Sequence, residues 1–374
     1  MTADGKKIKV LAIVNASFGY DGISNVATNY YLYQDKSAVE MDLLTINPVN
    51  EELESEIKKN NNKVFVLPFR NRNPLKYIIE LKKIIKENDY DIVYVHGNSA
   101  TMVVELISAK MAGCKVRVAH SHNTQCNHMK INKILMPLFS LLYTDCCACS
   151  PEAGEFLFGD KECFVVNNGL YVPKYEFSKE TRDRIRAQLG VESKFVFGHI
   201  GRFAFQKNQE FLIYVLKAVV EKGEDAVLLL VGEGENIDMV KSIAEDLNLA
   251  DRVIFYGTTD YVNEVVQAMD CFVFPSRFEG LGIVAIEAQA SGLSCVASTE
   301  VPTKIKIHDK TTFLSLDADA TEWASAVIER KSAVSERQNN IKETRLKLEE
   351  AKFDIEKNCS DMLDYYRKIC KVSN

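Results

Sequence analysis

Short, continuous apolar runs alternate with helix-period segments twice along this chain, and that alternation restricts the fold more than any other feature. "KIKVLAIVN" (7–15) ends in a polar loop and is followed by the helical pattern "ISNVATNYYLYQ". "VEMDLLTI", "KVFVLPF", the helix "NPLKYIIELKKIIKEN", "YDIVYVHGN", the helix "TMVVELISAKMAG" and "KVRVAHSHN" continue the series. Strands that are apolar throughout, rather than alternating, are buried on both faces, which requires a parallel sheet covered by helices on each side. The series pauses over "NNGLYVPKYEFSKETRDRIRAQLGV" (167–191) and restarts with "FVFGHIGRF", "AVLLLVGEG", "RVIFYGTT", "CFVFPSRF" and "LSCVAST".

Two such series predict two Rossmann-like, doubly wound domains facing each other across a cleft. The first is expected over 1–172 and the second over 173–356, with a last helix at about 357–374 packing back on the first. A chain of 374 residues, 47% apolar and 26% charged, has enough core for both. Its net charge of −6 argues against nucleic acid as a partner. No apolar run reaches the length of a membrane span, and "MTADGKKIKV" does not read as a signal peptide, so the expected compartment is the cytoplasm. In that reducing environment the ten cysteines are expected to be mostly small buried hydrophobes. "DCCACS" holds one Cys-x-x-Cys pair, Cys146 and Cys149, without a second pair or a histidine at ligand spacing, and reads as a buried strand rather than a zinc site.

Ligands of doubly wound sheets bind beyond the carboxyl ends of the strands. In the second series "FGHIGRFAFQKNQEF" puts Gly201 and Arg202 at a strand end and Lys207 and Asn208 at a helix start. A guanidinium, an ammonium and free helix N–H groups suit a diphosphate, although a solvated basic loop has the same composition. "LLLVGEGEN" ends in Gly232-Glu233-Gly234, which lacks the third glycine of a dinucleotide fingerprint and says only that backbone comes close to something.

"CFVFPS" then turns at Glu279-Gly280-Leu281-Gly282 into the helix "IVAIEAQAS", which carries Glu287. The glycines let backbone N–H groups approach an anion at the helix start. A carboxylate is a poor neighbour for phosphate but accepts hydrogen bonds from sugar hydroxyls. Ile283, Val284, Ile286 and Ala288 make the segment look buried, where an unpaired carboxylate is costly.

Glu279 and Glu287 reproduce the Glu-x7-Glu motif of retaining glycosyltransferases with the GT-B fold, and "GRFAFQKN" and "VGEGE" stand where family-four members carry their phosphate-binding segments. The resemblance covers essentially the whole chain. "VRVAHSHNT", "CSPEAGEFLFG" and "FLSLDADATEWASAV" further resemble the bacterial branch that builds capsular and exopolysaccharides. It implies that Arg202 and Lys207 hold the donor diphosphate and stabilise the leaving group, that Glu287 binds the ribose, and that Glu279 with the backbone of 280–282 grips the transferred sugar. Gly201, Asn208, Gly232 and Glu233 belong to the implied donor site. His120, followed by Ser121, matches the family's histidine beside the reacting sugar, with His122 the near alternative and His96 facing the same cleft. Two departures stand out. The family's Gly-Gly after the first strand is replaced by Gly22-Ile23, with Gly19 earlier in the loop, and its Gly-x-Pro-Glu loop by "TEVPTKIKIH" (299–308).

The resemblance implies a nucleotide-sugar donor, UDP-linked above all, and transfer with retention to a saccharide acceptor, which is expected to be lipid-linked if the basic, apolar segment 126–143 lies at a membrane surface. No cofactor and no metal are expected, since Arg202, Lys207 and helix N-termini supply the positive charge. Asp317 and Asp319 read as a helix cap rather than a metal-binding Asp-x-Asp. "CNHMKINKILMPLFSLLY" (126–143), with Lys130 and Lys133, and the helix bearing Lys76, Lys82, Lys83 and Lys86 either pack on the first sheet or meet an anionic membrane surface as a peripheral contact. A UDP-sugar 2-epimerase of the same fold and a non-catalytic partner subunit are the rivals. The first would change a donor supplied alone; the second would be expected to lose part of the donor-site set, which is complete here. A dehydrogenase fails on the missing fingerprint.

Overall fold

The computed structural model describes residues 6–15, 22–126, 128–331 and 333–372. The chain divides into two compact units, Met1–Leu170 with Lys352–Asn374, and Tyr171–Ala351.

In the first unit, β1 (Ile8–Val14), β2 (Val39–Thr45), β3 (Val64–Val66), β4 (Ile92–Gly97), β5 (Val116–Ser121), β6 (Asp145–Ala148) and β7 (Phe164–Val165) form one sheet in the order β3-β2-β1-β4-β5-β6-β7. In the second, β8 (Phe195–Ile200), β9 (Ala226–Val231), β10 (Val253–Gly257), β11 (Cys271–Phe274), β12 (Cys295–Ser298) and β13 (Thr311–Leu314) are ordered β10-β9-β8-β11-β12-β13. Every pairing in both is parallel. The expectation of two parallel-sheet α/β units is therefore met. β7 and β13, at the ends of their sheets, were not anticipated.

The two orders match strand for strand over six strands, and β7 extends the first sheet by one. Each sheet grows two strands one way from its first strand and then reverses, between β1 and β4 and between β8 and β11. Such a reversal leaves a crevice at the carboxyl edge, because the loops of the two central strands run off to opposite faces. β8 and β9 are buried along their whole length, as a strand covered on both faces must be. The helices Gln209–Glu221 and Ala320–Glu329 pack on this sheet through Leu212, Leu216 and the wholly buried Trp323.

The opposite edge of the reversal is clamped by charge. Asp270, just before β11, accepts from the Val196 N–H of β8 at 2.8 Å and pairs with the buried Arg182 and Arg186. Arg337 adds hydrogen bonds to the carbonyls of Met269 and Ser291. Buried guanidiniums are tolerated here because carbonyls and one shared carboxylate accept hydrogen bonds from their N–H groups.

The domain limits differ slightly from residues 172 and 357, for a definite reason. The Leu170 N–H donates to the Phe353 carbonyl (2.9 Å) and the Ile355 N–H to that of Leu170 (3.0 Å), so 352–356 joins the first unit before its helix Ile355–Val372 begins. Gly169 is required beside this bridge: a Cβ there would lie 2.7 Å from the Ile355 Cα. The helix packs Tyr366 edge-on against Tyr94 of β4, with ring centroids 6.2 Å apart.

The cysteine expectation needs one correction. "DCCACS" does contribute a buried strand, β6, but Cys146 is disulfide-bonded to Cys163, which lies just before the neighbouring β7. The pairing of β6 with β7 brings the two together across a separation of 17 residues. Among the described residues no helix is long and apolar enough to cross a membrane.

Candidate active site

The second unit gathers its singled-out residues at the β8/β11 reversal. β8 runs into Gly201 and Arg202, and a turn leads to Asn208, whose left-handed backbone (φ 58°) starts the helix Gln209–Glu221. β11 runs into Pro275 and on to Gly282, also left-handed (φ 81°), which starts the helix Ile283–Ala290. A Cβ on Gly282 would meet the Phe274 ring at 2.9 Å. No side chain caps this second helix, so its first N–H groups remain open to an anion.

The two loops are bonded to each other. The Lys207 Nζ lies 2.6 Å from the Glu279 Oε1, with side-chain exposures of 18% and 7%. Gln206 donates its amide to Glu279 Oε2 at 3.2 Å and to the Phe278 carbonyl at 2.9 Å. The Arg277 N–H donates to the Gln206 carbonyl, and its guanidinium reaches Glu210 at 2.8 Å. Asn208 spends its side-chain amide on the Pro275 carbonyl (3.1 Å), so its side chain ties the loops together while its backbone starts the helix. Arg202 stands apart: its side chain is 75% exposed and pairs with Glu235 at 3.1 Å.

Gly232 and Gly234 answer the question their loop posed. A Cβ on Gly232 would lie 2.3 Å from the Gly201 carbonyl oxygen, and one on Gly234 would lie 2.3 Å from that of Phe203. The loop after β9 packs backbone-to-backbone on the loop after β8, with the Phe203 N–H donating to the Glu233 carbonyl at 2.9 Å. Glu233 itself is exposed. The segment 299–308 lies beside the second helix. The Ile305 Cγ2 is 3.4 Å from where a Gly282 Cβ would be, and Gln289 bonds the Ile305 carbonyl and the Ile307 N–H.

Glu287 lies inside the helix Ile283–Ala290, half-buried, and accepts from the Tyr175 hydroxyl at 2.9 Å. Burial holds its carboxyl above the ordinary range, against the opposing pull of the Tyr175 hydrogen bond and the Lys174 charge. Tyr175 was not foreseen, since nothing in "VPKYEF" marks it. His199 was missed as well. It lies near the end of β8, stacked on Phe272 and Phe274, with Nδ1 2.9 Å from the Val273 carbonyl and Nε2 buried without a partner. Burial lowers its pKa to about 4, so it is a neutral imidazole whose free nitrogen is 3.2 Å from the Cβ position of Gly201. "GHIGR", a histidine just ahead of the strand-end glycine, was the available signal.

The first unit places its histidines at the carboxyl edge too. His96 of β4 is directly opposite His120 of β5. The His96 Nδ1 and His122 Nε2 are 2.9 Å apart, and the Tyr94 hydroxyl is 3.0 Å from the His120 Nδ1. Burial, and then the neighbouring imidazoles, hold His96 and His120 well below the usual histidine range. The His120 Nε2 is buried without a partner, as are side-chain atoms of Asn15, Asn98 and Asn168, which follow β1, β4 and β7. Each of these groups calls for a partner, which water or a polar ligand at this edge would supply. Gly22 begins the helix Gly22–Tyr33, whereas Gly19 lies outside the described residues.

Lys130 and Lys133 are exposed on the helix Met129–Ser140, which buries only Asn132 and Phe139. Ile131, Ile134, Leu138 and the following Leu141 face outward, Ile134 at 76% exposure. The other basic helix, Pro74–Asn88, packs through Tyr77, Leu81 and Ile85 but leaves Leu75 and Ile79 exposed. Asp319 caps a helix, accepting from the N–H groups of Thr321 and Glu322 at 2.9 Å.

Known proteins share this organisation. The family described as glycosyl transferases group 1 matches residues 181–347. The "Putative glycosyltransferase EpsF" of Bacillus subtilis is 32% identical over 321 residues, 82% of this chain and 83% of that protein. The Escherichia coli UDP-Gal:alpha-D-GlcNAc-diphosphoundecaprenol alpha-1,3-galactosyltransferase is 28% identical over 239 residues, 60% of this chain and 62% of that one. Among solved structures, Anabaena HepE in complex with UDP and glucose superposes with a TM-score of 0.69 at 18% identity, covering 96% of this chain and 100% of that one. A Rickettsia africae glycosyltransferase gives 0.73 at 16%, covering 98% and 99%. At these identities the structures establish a common fold, GT-B.

The raised pKa of Glu287 has a stability consequence. Above the ordinary carboxylate range and up to that raised pKa, the folded protein binds a proton that the unfolded chain has lost, so stability falls as pH rises through the window. Glu287→Gln should abolish this slope and raise the melting temperature at neutral pH, as checked by thermal unfolding of both proteins over about pH 4 to 8.

Proposed function

This chain belongs to the group 1 glycosyl transferases, and from that premise we propose that it moves a sugar from UDP to a hydroxyl of a lipid-linked saccharide, with retention of configuration, in the synthesis of a surface polysaccharide. The observation that carries the reading is the bonded loop pair at the β8/β11 reversal, in which Lys207 and Glu279 stand beside the uncapped start of Ile283–Ala290.

The roles follow from the chemistry of each group. The helix N–H groups and Lys207 receive the diphosphate and stabilise the charge that develops on it as the sugar leaves. Arg202, on the exposed rim, swings from Glu235 to the same phosphates. Glu279, oriented by Lys207 and Gln206, accepts hydrogen bonds from the sugar, together with the backbone of Gly280, Leu281 and Gly282. Glu287, presented by Tyr175, takes the ribose hydroxyls. His120 offers its free Nε2 to the reacting sugar. The departing phosphate serves as base for the acceptor hydroxyl on the face it leaves, so no protein nucleophile is needed and the protein acts by positioning and electrostatics. The donor site requires no metal, because its positive charge comes from the chain.

The lipid-linked acceptor and the cytoplasmic membrane face are supported by the outward apolar residues of Met129–Ser140 beside Lys130 and Lys133, a combination that suits an anionic bilayer surface. The Escherichia coli relative, named for a diphosphoundecaprenol-linked sugar, points the same way. The complete set of Lys207, Glu279 and Glu287 favours transfer over a partner-subunit role.

Kinetics separate the roles. Lys207→Ala should lower kcat by about 10²- to 10³-fold, as removal of one charge-stabilising donor does elsewhere. Glu279→Ala should depress turnover with UDP affinity retained, and Glu287→Ala should weaken UDP itself. Unaltered nucleotide affinity in Glu287→Ala would remove the ribose from that site. For the membrane face, Ile134→Asp with Leu138→Asp should release the protein from anionic vesicles in co-sedimentation while leaving UDP affinity unchanged. Equal sedimentation of wild type and variant would contradict the assignment.

A further inference from the structure

Glycosyl transfer gives work to one imidazole of the first unit, yet three converge there. His96 closes on His120 across the β4/β5 pair, and His122 follows two residues later. One candidate ligand nitrogen from each lies within 4.8 Å of the other two. We infer that His96, His120 and His122 form a site for one divalent d-block cation of the zinc type, with a fourth position left to water.

The ligand chemistry selects the ion. Imidazole nitrogens suit Zn²⁺, Co²⁺ and Ni²⁺, whereas Mg²⁺ and Ca²⁺ take oxygen donors. Zinc–nitrogen bonds of about 2.0–2.1 Å set tetrahedral ligand atoms about 3.3 Å apart. His96 Nδ1 and His122 Nε2 are already 2.9 Å apart, and the His120 and His122 ring centroids are 3.8 Å apart. His122 is only half-buried, so it is the ligand that solvent reaches.

His120 is the residue that a purely structural role leaves unexplained. Its Nε2 is buried without a hydrogen bond, a costly arrangement unless a ligand meets it. Its other nitrogen is anchored on the Tyr94 hydroxyl, the outer hydrogen bond that metal-bound histidines characteristically make. With the proton on Nδ1 and donated to Tyr94, the Nε2 lone pair is free for the cation. His96 and His122 remain neutral: the proton between them moves to the far nitrogen of the ring that carried it. Two of the three ligands stand on paired strands rather than loops, so the site is held rigidly. Where His120 also meets the reacting sugar, as proposed above, cation and sugar exclude each other.

The test needs neither donor nor acceptor, so its outcome is independent of the transferase reading. Metal-stripped full-length protein is titrated with Co²⁺, following visible absorption and, by equilibrium dialysis, stoichiometry. The expected result is one equivalent bound with four-coordinate ligand-field bands, no thiolate charge-transfer band, and displacement by Zn²⁺. His122→Gln and His96→Gln should each weaken binding by about tenfold or more, with circular dichroism verifying the fold. If His96→Gln does not fold, the half-buried His122→Gln decides alone. Absence of a bound equivalent, full affinity in His122→Gln, or a thiolate band that cysteine alkylation abolishes would overturn the site.

Discussion

The ion pair between Lys207 and Glu279 is the contact on which the proposed donor site depends. It joins the loop after β8 to the loop after β11 across 72 residues of sequence, at the place where the second sheet reverses its order. Each partner alone would be a burden, since a half-buried charge without its counterion is costly. Together they place a cation and an anion 2.6 Å apart, the pair to which the proposed function assigns phosphate and sugar hydroxyls. Both side chains are largely shielded from water, and each holds the other in place.

The rest of the second unit serves that pair. Asp270, with Arg182 and Arg186, fixes β8 against β11 at the far edge of the sheet, so the loops leave from a rigid base. Gly232 and Gly234 let the neighbouring loop settle on the carbonyls of Gly201 and Phe203, bracing the first loop from behind. Gly282 turns the second loop into its helix without a capping side chain, which keeps the helix start open to an anion. A parallel sheet supplies the crevice, and charge and glycine placement supply its chemistry.

The fold was legible because continuous apolar runs such as "AVLLLV" have no other stable use than strands covered on both faces. Among the strands, β7 and β13 escaped the reading, being short and lying at the sheet ends where burial leaves a weaker pattern. The site was legible as an inventory of residues rather than as an arrangement. Lys207 and Glu279 read as holding separate parts of the donor, because nothing in either motif records that they touch. Tyr175 gave no signal, since its role exists only through space. The helix Met129–Ser140 shows the same limit: its apolar content was evident, but whether Ile134 faced the sheet or the solvent could not be settled by a pattern interrupted by Asn132 and Pro137. The disulfide of Cys146 depended on the unanticipated β7.

The most direct measurement is calorimetric titration of the purified protein with UDP, GDP, ADP and TDP in EDTA, repeated with magnesium. A chain-supplied diphosphate site with a ribose carboxylate predicts binding of UDP, unchanged by EDTA. Binding that appears only with magnesium would contradict the charge assignment to Lys207 and the helix start. Failure of every nucleotide to bind would contradict the donor site itself.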